Sequence, residues 1–280
     1  MTVHLWAQSL DDKILHPIKP FQFPGGEWHI DITKAGLDDG RYYRWIADVK
    51  GGSPDELVIA SMLADIAIER AEVSTLLIPY LPAARADRGT PLGLSVYGGI
   101  INAACFGDVV AIDVHNPEAA RQEVNGITTL SPTPLVMATI QYQDTFTGVI
   151  APDKGAEGRA ADVASSLGVE LVVADKKRDF ATGEILGITV PDVDPLGNYL
   201  VVDDICDGGG TFMALASATG LPQDRLSLWV THGIFSGNAH NLLKHYYKAV
   251  YTTDSHPGSG QLGMYTVKMP VWAYMFRKVS

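Results

Sequence analysis

The sequence predicts an α/β fold built on mostly parallel sheets, and three observations lead there. Short apolar runs recur along the chain without the apolar–polar alternation of a half-exposed strand. Segments with helical spacing lie between them. The units are numerous enough for two sheets. Unbroken apolar strands suit sheets covered on both faces, and strand alternating with helix suits parallel connections.

Taken in order, the first clear element is a helix. Ser53-Pro54-Asp55-Glu56 offers a capping hydroxyl, a proline at the first turn, and acids facing the positive helix end. Leu57, Ile59, Met62, Leu63, Ile66 and Ala67 follow as an apolar face. A strand is predicted over Thr75–Ile78, a helix over Leu92–Cys105 and a strand over Val109–Ile112. Ser131-Pro132-Thr133-Pro134 is turn-rich and marks a domain boundary, dividing the chain into residues 1–133 and 134–280. Beyond it, strands are predicted over Gly148–Ile150, Leu171–Ala174, Tyr199–Val202, Leu226–Val230 and Ala249–Tyr251. Helices are predicted over Gly158–Leu167, Gly210–Thr219 and Asn238–His245.

Composition narrows the function classes. The chain has 280 residues, 46% hydrophobic and 19% charged, which suits a folded globular protein and not a disordered one. A formal net charge of −11 discourages non-specific binding to nucleic acid or anionic membrane. No apolar run is long enough to span a bilayer, and Met1–Asp12 lacks the basic start and apolar run of a signal peptide. Cys105 and Cys206 sit in or beside apolar stretches and read as buried, reduced thiols of a cytoplasmic protein.

The chemistry concentrates after the strands, where doubly wound sheets bind ligands. The strongest segment runs from Leu200 to Thr211. A buried strand leads into Asp203 and Asp204, then Asp207-Gly208-Gly209-Gly210-Thr211 and a helix. Glycines let successive N–H groups point at one anion, and the helix start adds its dipole. The paired acids can grip sugar hydroxyls. No Gly-Lys-Ser or Gly-Lys-Thr exists in the chain, so this is not a P-loop.

That segment resembles the ribose-phosphate signature of the phosphoribosyltransferase fold, and five further motifs resemble the ribose-phosphate diphosphokinases in family order. They are Ile78-Pro79-Tyr80 with Ala84-Arg85-Ala86-Asp87-Arg88, Asp113-Val114-His115, Ala151-Pro152-Asp153-Lys154-Gly155 with Arg159-Ala160, Lys176-Lys177-Arg178, and Thr231-His232-Gly233-Ile234-Phe235-Ser236-Gly237. The resemblance implies two phosphoribosyltransferase-like domains, the N-terminal one on the ATP side and the C-terminal one on the ribose-phosphate side. The last residues are left open to return to the N-terminal domain.

It also implies roles. Lys176 and Arg178 would be catalytic, on a flexible loop closing over the phosphates. Phe23, Glu27, Arg85, Asp87 and His115 would serve ATP, with Phe23 and Glu27 meeting the adenine at a neighbouring subunit of a homo-oligomer. His115 and Asp153 would hold magnesium, His115 through a water because magnesium prefers oxygen. Asp203, Asp204, Asp207, Gly208, Gly209, Gly210 and Thr211 would bind the ribose phosphate.

Departures leave the acceptor open. Gly208 stands where the family usually has threonine, which removes a hydroxyl and opens space beside the 5′-phosphate. Ribose 5-phosphate and ADP-ribose are therefore both candidate acceptors. Ala86 and Gly25 replace a glutamine and an aspartate of the family pattern, and Asn116-Pro117-Glu118 departs from its usual continuation. A non-catalytic regulatory subunit is a further alternative, weakened because Lys176, Arg178, His115, Asp153, Asp203 and Asp204 are all present.

Overall fold

The computed structural model describes residues 2–141, 145–178, 185–261 and 266–278. The chain forms two compact units: Met1–Leu130 with Trp272–Ser280, and Ser131–Val271. Among the described residues, no helix is long and apolar enough to cross a membrane.

The first unit begins with β1 (Val3–Ser9), β2 (Leu15–Ile18), the short pair β3 (Phe21–Gln22) and β4 (Trp28–His29), and β5 (Tyr43–Val49). It continues through α1 (Pro54–Glu69), β6 (Val73–Leu77), α2 (Gly93–Ala103), β7 (Asp108–Ile112), α3 (Pro117–Glu123) and β8 (Ile127–Leu130). The sheet order is β2-β1-β5-β6-β7-β8. β5 through β8 run parallel, whereas β1 is antiparallel to both β2 and β5. Tyr43, Trp45, Ile59, Leu63 and Leu76 are fully buried between α1 and this sheet.

The second unit carries α4 (Thr133–Ile140), β9 (Gly148–Ala151), α5 (Glu157–Leu167), β10 (Glu170–Val173), β11 (Asp175–Arg178), β12 (Ile185–Thr189) and β13 (Tyr199–Cys206). After these come α6 (Gly210–Thr219), β14 (Leu226–Gly233), α7 (Ala239–Leu243), β15 (Ala249–Thr253) and β16 (Thr266–Met269). Its sheet order is β10-β9-β13-β14-β15-β16, with every pair parallel. β11 and β12 form a separate antiparallel ribbon. α8 (Trp272–Phe276) belongs to the first unit, where Trp272 meets Trp6 with ring centroids 5.9 Å apart.

Several expectations change. Ser53 precedes α1 but makes no capping hydrogen bond through its hydroxyl, so Pro54 and the acids Asp55 and Glu56 define that helix start. Cys105 is exposed, not buried, because it falls at the turn that follows α2, where its φ is 54°; Cys206 is buried. β13 runs on through Asp203 and Asp204 to Cys206, since Ile205 and Cys206 still pair with His232 and Gly233 of β14. The paired acids therefore lie inside the strand rather than at its end.

Candidate active site

In the second unit the polar groups gather at the carboxyl ends of β9, β13 and β14, which are neighbours in the sheet. That edge is where open parallel sheets bind ligands, because loops and helix starts converge there.

After β13 the chain passes through Asp207 and Gly208 into Gly209, which has φ 78° and ψ −2° and stands immediately before α6. A Cβ would be strained in that left-handed conformation, so glycine suits the position. The arrangement turns free N–H groups of the first helical turn outward, ready for an anion. At Gly208 a Cβ would find open space, its nearest neighbour being the Ser236 hydroxyl oxygen at 4.0 Å. The loop is tied to its neighbour: the Cys206 carbonyl accepts from both Ile234 N–H (2.9 Å) and Phe235 N–H (3.0 Å).

Asp203 and Asp204 share one cation. Arg159, in the first turn of α5, places Nη1 3.2 Å from Asp203 Oδ1 and Nη2 3.5 Å from Asp204 Oδ2. Burial, with the adjacent Asp204 charge, pushes the Asp203 carboxyl well above the usual range, and the Arg159 guanidinium pulls it back.

Beside them, Lys176 on β11 forms an ion pair with Asp153, which follows β9. Burial pushes the Asp153 carboxyl up, but the Lys176 ammonium and the Ala156 and Gly155 N–H groups outweigh it and hold the carboxyl below its ordinary value. Lys176 and Arg178 lie on β11, which pairs with β12, and residues 179–184 of the loop expected to carry them lie outside the described residues. The ladder with Ile185–Thr189 satisfies the backbone of Lys176 and Arg178, which an irregular loop would leave to water. The Arg178 side chain lies outside the described residues.

Two histidines complete the second unit's edge. His232 Nδ1 lies 2.8 Å from the Ser255 hydroxyl, and His256 Nδ1 accepts from Gly258 N–H at 3.0 Å. Burial first, and then the neighbouring His232, lower the His256 pKa, while Asp207 opposes this.

The first unit brings together a different set. Arg85 and Asp87 follow β6, His115 follows β7, and these strands are adjacent and parallel. Asp113 reaches φ 44° at the turn into His115, a left-handed conformation that aspartate tolerates better than most residues. Asp87 accepts from Asn116 Nδ2 at 2.8 Å, while Asn116 caps α3 by accepting from Ala119 N–H. Arg85 and His115 are exposed.

Phe23 and Glu27 sit apart, at the turn joining β3 to β4. Phe23 is 49% exposed and stacks on His29, with centroids 5.8 Å apart. Its N–H donates to the Glu27 carbonyl at 2.8 Å. An aromatic face left to solvent on a closed turn is available to a partner outside the unit.

The residue that sequence reasoning left without a role is Arg159. Its signal was present: a cation in the first turn of the helix that follows β9, the strand adjacent to β13.

Comparisons with known proteins agree with this architecture. No protein-family model matches the chain. A ribose-phosphate pyrophosphokinase of Chromobacterium violaceum is 30% identical over 244 residues, covering 77% of this chain and 73% of that protein. The one from Cereibacter sphaeroides is 29% identical over 239 residues, covering 79% and 68%. The one from Thermococcus kodakarensis is 29% identical over 224 residues, covering 78% of each. In fold, the crystal structure of phosphoribosylpyrophosphate synthetase from Mycobacterium smegmatis matches with a TM-score of 0.76 at 20% identity, over 96% of this chain and 90% of that one. With its two parallel-rich sheets flanked by helices and its sequence shared with these relatives over most of its length, the chain belongs to the ribose-phosphate pyrophosphokinase family of enzymes.

Proposed function

We propose that the protein transfers pyrophosphate from ATP to the C1 hydroxyl of ribose 5-phosphate, releasing AMP, with magnesium as cofactor and in the cytoplasm. The observation that carries this reading is the meeting of three features along and just beyond the carboxyl-terminal halves of adjacent strands. They are an acid pair for ribose hydroxyls, a glycine-rich helix start for a phosphate, and a lysine–aspartate pair beside them. Such a transfer needs little covalent help from the protein. It needs in-line placement of the sugar hydroxyl and positive charge around the phosphates.

The residues divide accordingly. Asp203 accepts from the sugar hydroxyls. The 5′-phosphate takes the N–H groups of Gly208–Thr211. Lys176, with Arg178, supplies positive charge to the triphosphate. The first unit is the ATP side, with Arg85, Asp87 and His115 at its strand ends. Phe23 and Glu27 offer an adenine platform to a neighbouring subunit.

The donor set suits magnesium. Asp153 provides a carboxylate whose side chain is 29% exposed. Among the described residues no cluster of three or more His, Cys, Asp or Glu could hold a metal. Magnesium at Asp153 would thus draw its other ligands from phosphate and water, as that ion commonly does. His115 is exposed and can act through a bound water. Magnesium supplies charge neutralisation on the transferring group.

A second acceptor has one observation in its favour. The open space at Gly208 gives room for a 5′-extended ribose such as ADP-ribose. The test is AMP release from Mg-ATP with ribose 5-phosphate or ADP-ribose as sole acceptor, products identified by mass spectrometry. Pyrophosphorylated pentose phosphate is the expected result. Product from ADP-ribose alone would replace the acceptor. No AMP with either would overturn the reading in favour of a regulatory subunit.

A further inference from the structure

Arg159 carries an inference that rests on the reading of the second unit as a ribose-phosphate site. Its side chain is 11% exposed. The guanidinium spans Asp203 and Asp204 and also approaches the Gly155 carbonyl at 3.5 Å. A planar fork fixed on several oxygens is a clamp, poorly placed to reach out to a phosphate.

The two acids it holds are not equivalent. Asp204 is 4% exposed; one of its oxygens accepts from Ile205 N–H at 2.9 Å and the other faces Arg159. Asp203 is 15% exposed, and both Asp204 N–H (2.9 Å) and Arg159 Nη1 (3.2 Å) converge on its Oδ1. No N–H group of the described residues donates to its Oδ2.

We propose that Arg159 is the positioning residue of the site, locking the acid pair so that Asp203 Oδ2 alone is presented to the hydroxyls of a ribose phosphate while Asp204 anchors the clamp. The physical need is plain. Two adjacent carboxylates in a poorly solvated place repel each other, and they settle by rotating apart or by sharing a proton. A protonated Asp203 donates where it should accept. The cation between them opposes both, bridging the two carboxylates and pulling against the protonation of Asp203.

The experiment measures KM for ribose 5-phosphate and for ATP, with kcat, in wild type, Arg159→Met, Arg159→Lys, Asp203→Asn and the double variant Arg159→Met/Asp203→Asn. Loss of a charge-assisted contact to the sugar predicts a KM for ribose 5-phosphate raised about tenfold or more in Arg159→Met. The KM for ATP should stay within about twofold of wild type. Lysine should restore part of the loss. The double variant should be no worse than Asp203→Asn, because a residue acting through another adds nothing once that partner is gone. If Arg159→Met does not fold, Arg159→Lys and the double variant, which removes the pair together, decide the matter. An unchanged KM for ribose 5-phosphate, equal rises in both KM values, or multiplying effects in the double variant overturn the role of Arg159. A wild type that makes no phosphoribosyl diphosphate overturns the underlying reading, and the role with it.

Discussion

Gly258→Ala tests whether the loop after β14 depends on close backbone packing. A Cβ at Gly258 would land on the Ile234 carbonyl oxygen, 2.7 Å from its carbon and 3.0 Å from the Gly233 carbonyl oxygen. All three neighbours are backbone, so no side chain can swing aside. Either Pro257–Gln261 lifts or the Ile234–Phe235 peptide moves. Overpacking of this kind costs ~2–3 kcal/mol. In a unit of this size that lowers Tm by roughly 5–10 °C. The displaced peptide also matters for binding, since Ile234 and Phe235 N–H groups fasten the Cys206 carbonyl at the entrance to the glycine-rich loop. KM for ribose 5-phosphate should therefore rise along with the loss of stability. Gly260→Ala is the control: a Cβ there meets nothing within 4 Å, so its effect should stay within about 0.5 kcal/mol. Thermal and urea denaturation of the two variants beside wild type provide the assay. A Gly258→Ala protein melting within 1 °C of wild type would refute the packing argument.

Three other outcomes are expected. Lys176→Ala should lower kcat by about a hundredfold or more while the fold persists by circular dichroism; wild-type turnover would remove Lys176 from the chemistry. Gly208→Thr should fold normally, given the open space there, and shift the ratio of specificity constants toward ribose 5-phosphate over ADP-ribose; an unchanged ratio would count against the argument from space. Asp153 has a folded-state pKa below its ordinary value, so its contribution to stability is complete above about pH 4 and is lost as pH falls through the lowered value. Lys176→Ala should accordingly lose less stability than wild type as the pH is lowered below about 4 in urea titrations, and parallel curves would show that the pair contributes nothing.

Much of the fold was legible because parallel strands buried on both faces leave continuous apolar runs. Val109–Ile112 and Leu226–Val230 are such runs and form parts of β7 and β14. β1, antiparallel to both its neighbours, was missed because His4, Gln8 and Ser9 leave it only the short apolar run Leu5-Trp6-Ala7. The β11–β12 ribbon was missed because Asp175–Arg178 is wholly charged and has no apolar period to read. At the site, the types Asp, Gly and Lys after strands were legible from chemistry. The pairing of Arg159 with Asp203 and Asp204 was not, because it depends on which strands are neighbours. The sheet places β9 beside β13 by pairing Gly148 with Tyr199, 51 residues further along the chain, and no local pattern encodes that adjacency.

The contrast between the two thiols has a practical side. Cys206 is sealed in the core, and burial, with the nearby Asp203 and Asp207 charges, raises its pKa and keeps it protonated. Alkylating reagents attack the thiolate, so Cys206 is a poor target on both counts. Cys105, exposed at its left-handed turn after α2, is open to them. The unaltered chain therefore carries its own attachment point for a fluorophore or spin label in the first unit. A reporter could be placed there without engineering a cysteine or removing one.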